Sequence, residues 1–343
     1  MTHATDFADL LKRLVAGRTL GTGEAAWAFG VIMAGEVPPV RIAAFLTALA
    51  QRVPTVEEIV GATQAMRAAM TPVRAPRNAI DLCGTGGDGH GTVNISTATA
   101  LVVAACGVPV AKHGNRSASS KTGTADVLEK LGVKIDVPPA VAEDCLREIG
   151  FCFLFAPTYH AAMKHVAPVR KELGFRTIFN LLGPLSNPAQ VKRQLLGVFA
   201  AEWVDPLARV LKELGTQKAW VVHGSDGLDE LTTTGPTAVA VLENGRVISR
   251  VVTPEEIGVA RVPLDALRGG DVDENAAALT ALLDGARGAF RDVALLNSAA
   301  ALVLADKAAD LKAGAKLAAE AIDNGAAKDV LARLAAATQK AAS

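Results

Sequence analysis

The sequence predicts an α/β protein with a small N-terminal helical domain and a large domain built on a mostly parallel mixed sheet flanked by helices. Three observations predict it. The first ~70 residues carry helical periodicity with no strand-like run, a proline-bearing stretch at 71–78 interrupts that pattern, and beyond residue 79 short apolar runs alternate with helix-like segments at crossover spacing.

In the helical part, Leu10, Leu11 and Leu14 begin one apolar face, and Ile42, Phe45, Leu46 and Leu49 mark another. Pro38, Pro39 and Pro54 punctuate it, and TPVRAPRN at 71–78 reads as a connection because its prolines oppose helix continuation. Strands are expected at 79–83, 108–111, 133–137, 152–155, 195–199 and 219–222, with helices over 96–106, 123–131, 139–148 and 203–214 covering the sheet. The runs 238–242 and 246–251 flank Glu243, Asn244 and Gly245, which predicts a hairpin and an antiparallel excursion. The alanine-rich end returns to helix.

Composition narrows the function classes. With 50% apolar residues, 343 residues can bury a sizeable core without disulfides. The 35 basic residues balance 35 acidic ones, so the chain lacks the long-range field of a nucleic-acid binder, and a phosphate ligand has to be held by local groups. Cys83, Cys106, Cys145 and Cys152 form no CxxC pair and read as reduced structural thiols rather than a metal or redox set. The start lacks a basic region followed by an apolar signal core, and no apolar run reaches membrane-spanning length, so a cytoplasmic location away from membranes is expected.

The sharpest local feature is DLCGTGGDGHGTVNIST at 81–97, a glycine-rich turn between a short strand and a helix. Gly84, Gly86 and Gly87 let backbone amides approach a ligand, while Asn94, Ser96 and Thr97 add donors at a helix N-terminus whose field favours an anion. Asp88 would repel a phosphate, so its tasks are accepting sugar hydroxyl protons, orienting the loop or meeting a Mg-coordinated water. A tight structural turn is the bland alternative, against which NIST weighs. The segment is neither a GxxxxGK[ST] loop nor a GxGxxG dinucleotide loop.

A second anion-facing loop is expected in VPVAKHGNRSASSKTG at 108–123, where Lys112 screens phosphate charge and Asn115, Ser117, Ser119, Ser120 and Thr124 add hydrogen-bonding capacity. Arg116 either touches ligand or supports structure; His113 either orients an acidic aromatic substrate or is a core histidine. In GSDGLDELTTTG, adjacent Asp229 and Glu230 are either an acidic surface loop or oxygen donors to Mg, which suits them better than zinc because no histidine or cysteine accompanies them.

GTGGD at 84–88, NIST at 94–97, KHGNRSASS at 112–120, NLLGPLSNP at 180–188 and DE at 229–230 together closely resemble the anthranilate phosphoribosyltransferase family over the full length. The resemblance implies the fold of the nucleoside phosphorylase class of phosphoribosyltransferases: residues 1–74, joined by helices from about 165–190, as the helical domain, and 75–343 as the domain binding phosphoribosyl pyrophosphate (PRPP). It implies PRPP contacts from Gly84, Gly87, Asp88, Thr92, Asn94, Ser96, Thr97, Lys112, Ser119 and Ser120, with Gly114, Arg116, Ser117 and Ala118 in the same stretch. Ser96, Asp229 and Glu230 are then the Mg contributors, to two ions; Asn115 and Arg170 meet anthranilate, and His113, Tyr159 and Pro184 line its site. Thr124 stands where the family often has serine, keeping the hydroxyl but adding a methyl group. The implied enzyme is a homodimer in tryptophan biosynthesis that displaces pyrophosphate from ribose C1 with the anthranilate amine, inverting configuration. Alternatives are a pyrimidine nucleoside phosphorylase, which has no need of a Mg-diphosphate site, and a non-catalytic nucleic-acid-binding relative.

Overall fold

A computed structural model describes residues 6–340 apart from 117–121. In chain order α1 (Phe7–Val15), α2 (Thr22–Met33), α3 (Pro39–Ala50) and α4 (Val56–Ala69) come first. Next are β1 (Ile80–Gly84), α5 (Ile95–Ala105), β2 (Val110–Gly114), α6 (Thr124–Lys130), α7 (Pro139–Glu148), β3 (Phe151–Phe155), the short α8 (Ala156–Tyr159), α9 (Ala167–Leu173) and α10 (Phe179–Leu185). Then β4 (Arg193–Gly197), α11 (Val204–Glu213), β5 (Lys218–Gly224), β6 (Thr237–Glu243) and β7 (Arg246–Val252) lead to α12 (Val272–Leu283), α13 (Ala289–Leu304), α14 (Leu311–Asp323) and α15 (Ala326–Lys340).

These form two compact units, residues 1–71 with 159–188 and residues 72–158 with 189–343. The helical unit is organised by its prolines and caps. Pro38 precedes α3 and Pro39 takes its first position, where the missing N–H is no loss, while Thr55 and Glu58 cap α4 reciprocally. Glu58 is fully buried yet satisfied, accepting from the Leu20 N–H (2.8 Å) and the Thr55 N–H (2.9 Å) and pairing with Arg52. An aromatic cluster fills the core: Phe29 meets Phe45 at 5.3 Å and Phe179 at 5.6 Å, edge to face in both cases.

Among the described residues of the second unit, seven strands form one sheet in the order β3-β2-β1-β4-β5-β6-β7. It is parallel from β3 to β5, and the last two pairings are antiparallel. The hairpin pairs Glu243 with Arg246 around Asn244 (φ 51) and Gly245 (φ 70), the two left-handed residues that match the twist of the flanking strands. One expected strand is corrected. Residues 133–137 alternate buried and exposed as a strand would, but they join no ladder; the Lys134 N–H donates instead to Thr338 Oγ1 (3.1 Å). Alternation reports one buried face and cannot report whether a neighbouring strand exists. The second strand also runs later than expected, so Lys112, His113 and Gly114 lie within β2 rather than in the loop after it.

Because the chain runs from β1 outward to β3 and then returns to β4 on the other side of β1, the topological switch falls between β1 and β4. Parallel α/β sheets open a crevice beyond the carboxyl ends of the strands at that point.

Candidate active site

The loop after β1 is fastened to the end of β4. The Thr85 N–H donates to Gly197 O and the Phe199 N–H donates to Thr85 Oγ1, both at 2.9 Å. Gly86 and Gly87 then turn at φ 64 and 78, a region that β-carbons disfavour, and the Gly86 N–H donates to Asp229 Oδ2 (2.7 Å). Asp229 arrives from the loop after β5. There Asp226 accepts from the Thr232 hydroxyl (2.6 Å) and the Thr234 hydroxyl (2.7 Å), and buried Asn297 of α13 brackets Leu231, accepting from its N–H (3.1 Å) and donating to its carbonyl (2.8 Å). The approach is close: a methyl group built on Gly197 would overlap the Asp229 carbonyl, and one on Gly84 would overlap the Asp229 carboxylate.

Charge accumulates there. Desolvation, then repulsion from Asp88, raises Asp229 to about 6, and desolvation with the neighbouring Asp229 raises Glu230 to about 8, although Lys112 and the Ser96 N–H pull it back. Lys112, 1% exposed, donates to Leu82 O (2.6 Å) and Ser96 Oγ (3.1 Å); burial lowers its pKa against the pull of Asp81, Cys83, Glu230 and Asp229. An adjacent carboxylate pair supplies oxygen donors to a hard divalent ion, which on binding would favour the charged form of both. Mg is an ion that takes few protein oxygens and completes its shell with water and phosphate; among the described residues no three of His, Cys, Asp and Glu gather into a cage.

Of the residues the sequence pointed to, Gly84, Gly87, Asp88, Thr92, Asn94, Ser96, Thr97, Lys112, Asp229 and Glu230 belong to β1, β2 and the segments leading from β1 and β5. Thr97 and Thr124 share a hydroxyl–hydroxyl bond (3.1 Å) that ties the starts of α5 and α6 together. His113 is buried in β2, its N–H donating to Asp81 (3.1 Å). Gly114 abuts the Phe153 ring, and exposed Asn115 accepts from the Arg116 N–H (2.7 Å). The Arg116 side chain pairs with Asp126 (2.7 Å) and Glu129 (2.6 Å) on α6 and stacks over Phe155. Ser117, Ala118, Ser119 and Ser120 lie outside the described residues. In the helical unit, Tyr159 is fully buried, Pro184 sits inside α10, and half-buried Arg170 lies 5.5 Å over the Phe179 ring with its pKa lowered by desolvation.

Sequence reasoning missed a third segment, 267–275, that stitches these loops together. The Val93 N–H donates to Leu267 O (3.0 Å), the Gly269 N–H to Gly91 O (2.9 Å) and the Thr122 hydroxyl to Gly270 O (3.1 Å). Its available signal was Gly269-Gly270 running into the Asp271/Glu274 capping box of α12. Gly197 and Asn297 carried no local signal at all.

Residues 76–328 match the model of the "Glycosyl transferase family, a/b domain", and residues 8–70 that of the "Glycosyl transferase family, helical bundle domain". The anthranilate phosphoribosyltransferase of Parvibaculum lavamentivorans is 60% identical over 97% of this chain and 98% of its own length. Among solved structures, the Thermus thermophilus anthranilate phosphoribosyltransferase superposes with TM-score 0.92 at 46% identity, covering 96% of this chain and 99% of its own. The Saccharomyces cerevisiae one, 27% identical, was solved with PRPP and Mg (TM-score 0.90, covering 97% and 98%) and with 4-fluoroanthranilate (0.88, covering 98% and 100%).

Proposed function

We infer the working of this site from one premise: the chain belongs to the anthranilate phosphoribosyltransferase family, and is a glycosyltransferase of tryptophan biosynthesis that moves phosphoribose from PRPP to the amine of anthranilate. One observation supports the placement of PRPP above the others. At the β1/β4 switch point a glycine turn, the start of α5, a buried lysine and a carboxylate pair converge, and a diphosphate with its cation is the ligand that uses all four.

The turn amides, Asn94, Ser96 and Thr97 hold phosphate oxygens, with Ser119 and Ser120 completing the set. Lys112 balances the carboxylates from beneath, and Asp88 receives ribose hydroxyls. Ser96, Asp229 and Glu230 hold Mg, as two ions; when bound, Mg offsets the charge that builds on departing pyrophosphate. Arg170 takes the anthranilate carboxylate through its paired N–H groups, with Asn115, His113, Tyr159 and Pro184 as further contacts. The arylamine lone pair is neutral at physiological pH, so the chain needs no strong base. It has to aim the nitrogen at C1, where the C–N bond forms as the C–O electron pair leaves with pyrophosphate and the amine sheds a proton. A cytoplasmic homodimer is the assembly we expect.

The test follows anthranilate consumption and pyrophosphate release together, with Mg and with Mn. Turnover of both in equal amounts is expected; folded protein inert toward both substrates with either metal would overturn the reading, and phosphorolysis of a pyrimidine nucleoside would redirect it.

A further inference from the structure

We propose that Asn275 is a positioning residue for the sugar donor: it decides which end of the Asn94 amide faces PRPP. The inference rests on the assignment of Asn94 as a PRPP contact.

A polarity chain carries it. The Gly270 N–H can only donate, and it donates to Asn275 Oδ1 at 2.8 Å. That fixes the other end of the Asn275 amide as Nδ2, which can also only donate, and which meets Asn94 Oδ1 at 3.0 Å. Asn94 must therefore turn its own Nδ2, a two-proton donor, to the opposite side. Orientation of a terminal amide is ordinarily an assignment from its surroundings; here a backbone N–H at the origin of the chain leaves one solution.

The second half of the argument is what Asn94 does not do. It occupies the N-cap of α5, but its side chain makes no capping bond, whereas Asp6, Thr55, Asp271 and Asp310 each accept from the first turn of their helices. An asparagine at this position normally spends its oxygen on its own helix. Asn275 takes that oxygen instead, so the Asn94 NH2 remains a donor beside the start of α5, the arrangement an oxyanion needs.

Asn275 is held firmly for this task. It is 3% exposed in the first turn of α12, behind the reciprocal Asp271/Glu274 cap. Gly269 packs so tightly that an added methyl group would come 2.5 Å from Thr92 O and 2.8 Å from Asn275 Oδ1.

Asn275→Asp is the surgical variant. It keeps an oxygen for the Gly270 N–H but shows Asn94 an acceptor, so the Asn94 amide rotates to donate backwards and turns its carbonyl toward the phosphate. Expected are a rise of ~tenfold or more in KM and calorimetric Kd for PRPP with Mg, and kcat and anthranilate KM within about twofold of the parent. Asn94→Ala should weaken PRPP similarly, and Asn275→Asp added to it should weaken it no further, since the second residue acts only through the first. Should Asn275→Asp unfold, Asn275→Ala enters the same cycle. Additive losses in the cycle, or a variant whose kcat falls as far as its PRPP affinity, would overturn the proposal. Asn94→Ala with unchanged PRPP affinity would instead overturn the assignment of Asn94, and the proposal with it.

Discussion

Gly197→Ala probes how the carboxylate pair is held. Gly197 ends β4 with an ordinary backbone conformation, so alanine meets no dihedral objection; the objection is space. The new methyl group would overlap the carbonyl oxygen and carbon of Asp229 and lie 3.2 Å from its Cα. These are main-chain atoms, fixed in turn by the two bonds between Leu231 and Asn297, so no flexible side chain can step aside. Relief requires the Asp229 backbone to withdraw, and a displacement of about 1 Å at a reacting centre is worth ~100-fold in rate. Overpacking of this kind also costs about 1–3 kcal/mol of stability. Gly84→Ala is the milder companion: its methyl group would overlap Oδ2 and lie 2.9 Å from Cγ, atoms that can rotate away at the expense of the Gly86 bond. Gly23→Ala, on α2 with nothing within 4 Å of the new carbon, is the control. The assay titrates Mg against initial rate of pyrophosphate release, beside thermal unfolding. Gly197→Ala should lose both rate and stability, Gly84→Ala should chiefly need more Mg, and Gly23→Ala should do neither. Parental rate and Mg response in folded Gly197→Ala would refute the close approach and what is built on it.

Asp229→Ala with Glu230→Ala should raise the Mg requirement. Because the pair ionises only near 6 and 8, protons compete with the cation, so the parent should need more Mg at pH 6 than at pH 8, a dependence the double variant should lose on titration of Mg at both values. Arg170→Lys keeps charge but not the fork, and should lower anthranilate efficiency by about tenfold to a hundredfold while calorimetric PRPP binding changes less; equal damage to both would assign Arg170 a structural task. His160 is buried and depressed to about 4 from an unfolded value near 6.5, so the stability from its neutral form is complete above about pH 6.5 and is lost as pH falls toward 4, by roughly 3 kcal/mol in all. His160→Gln should therefore show a smaller drop in unfolding temperature than the parent between pH 7 and pH 4.5; an identical drop would remove this histidine as a source of acid sensitivity.

The sheet was legible because its strands are short β-rich runs bounded by glycine, proline or a helical period, and the Asn-Gly hairpin states its own geometry. What escaped was pairing. Residues 133–137 have the pattern of a strand, and only the fold reveals that no strand lies beside them. The glycine turn, NIST and the DE pair were visible as motifs, since each concentrates chemistry in a few consecutive residues. Gly197, Asn297 and Asn275 were not, because their functions arise from contacts with residues 32, 66 and 181 positions away. Arg116 shows the same limit: the sequence leaves it open between a ligand contact and a support, and its pairing with Asp126 and Glu129 on α6 is visible only in the fold.

The helical unit is built from two pieces of chain, and its closing contacts come from the second. The Thr71 N–H donates to Tyr159 O, Arg67 Nε to Leu185 O, and Phe29 completes its ring packing on Phe179. Synthesis is vectorial, so the N-terminal helices emerge with that side of their core bare and wait for residue 188. At ~5–20 residues per second the 117 residues from 71 to 188 take roughly 6–25 s to make. Through that interval, while β1 to β3 are still being added, the nascent chain offers an unfinished apolar surface.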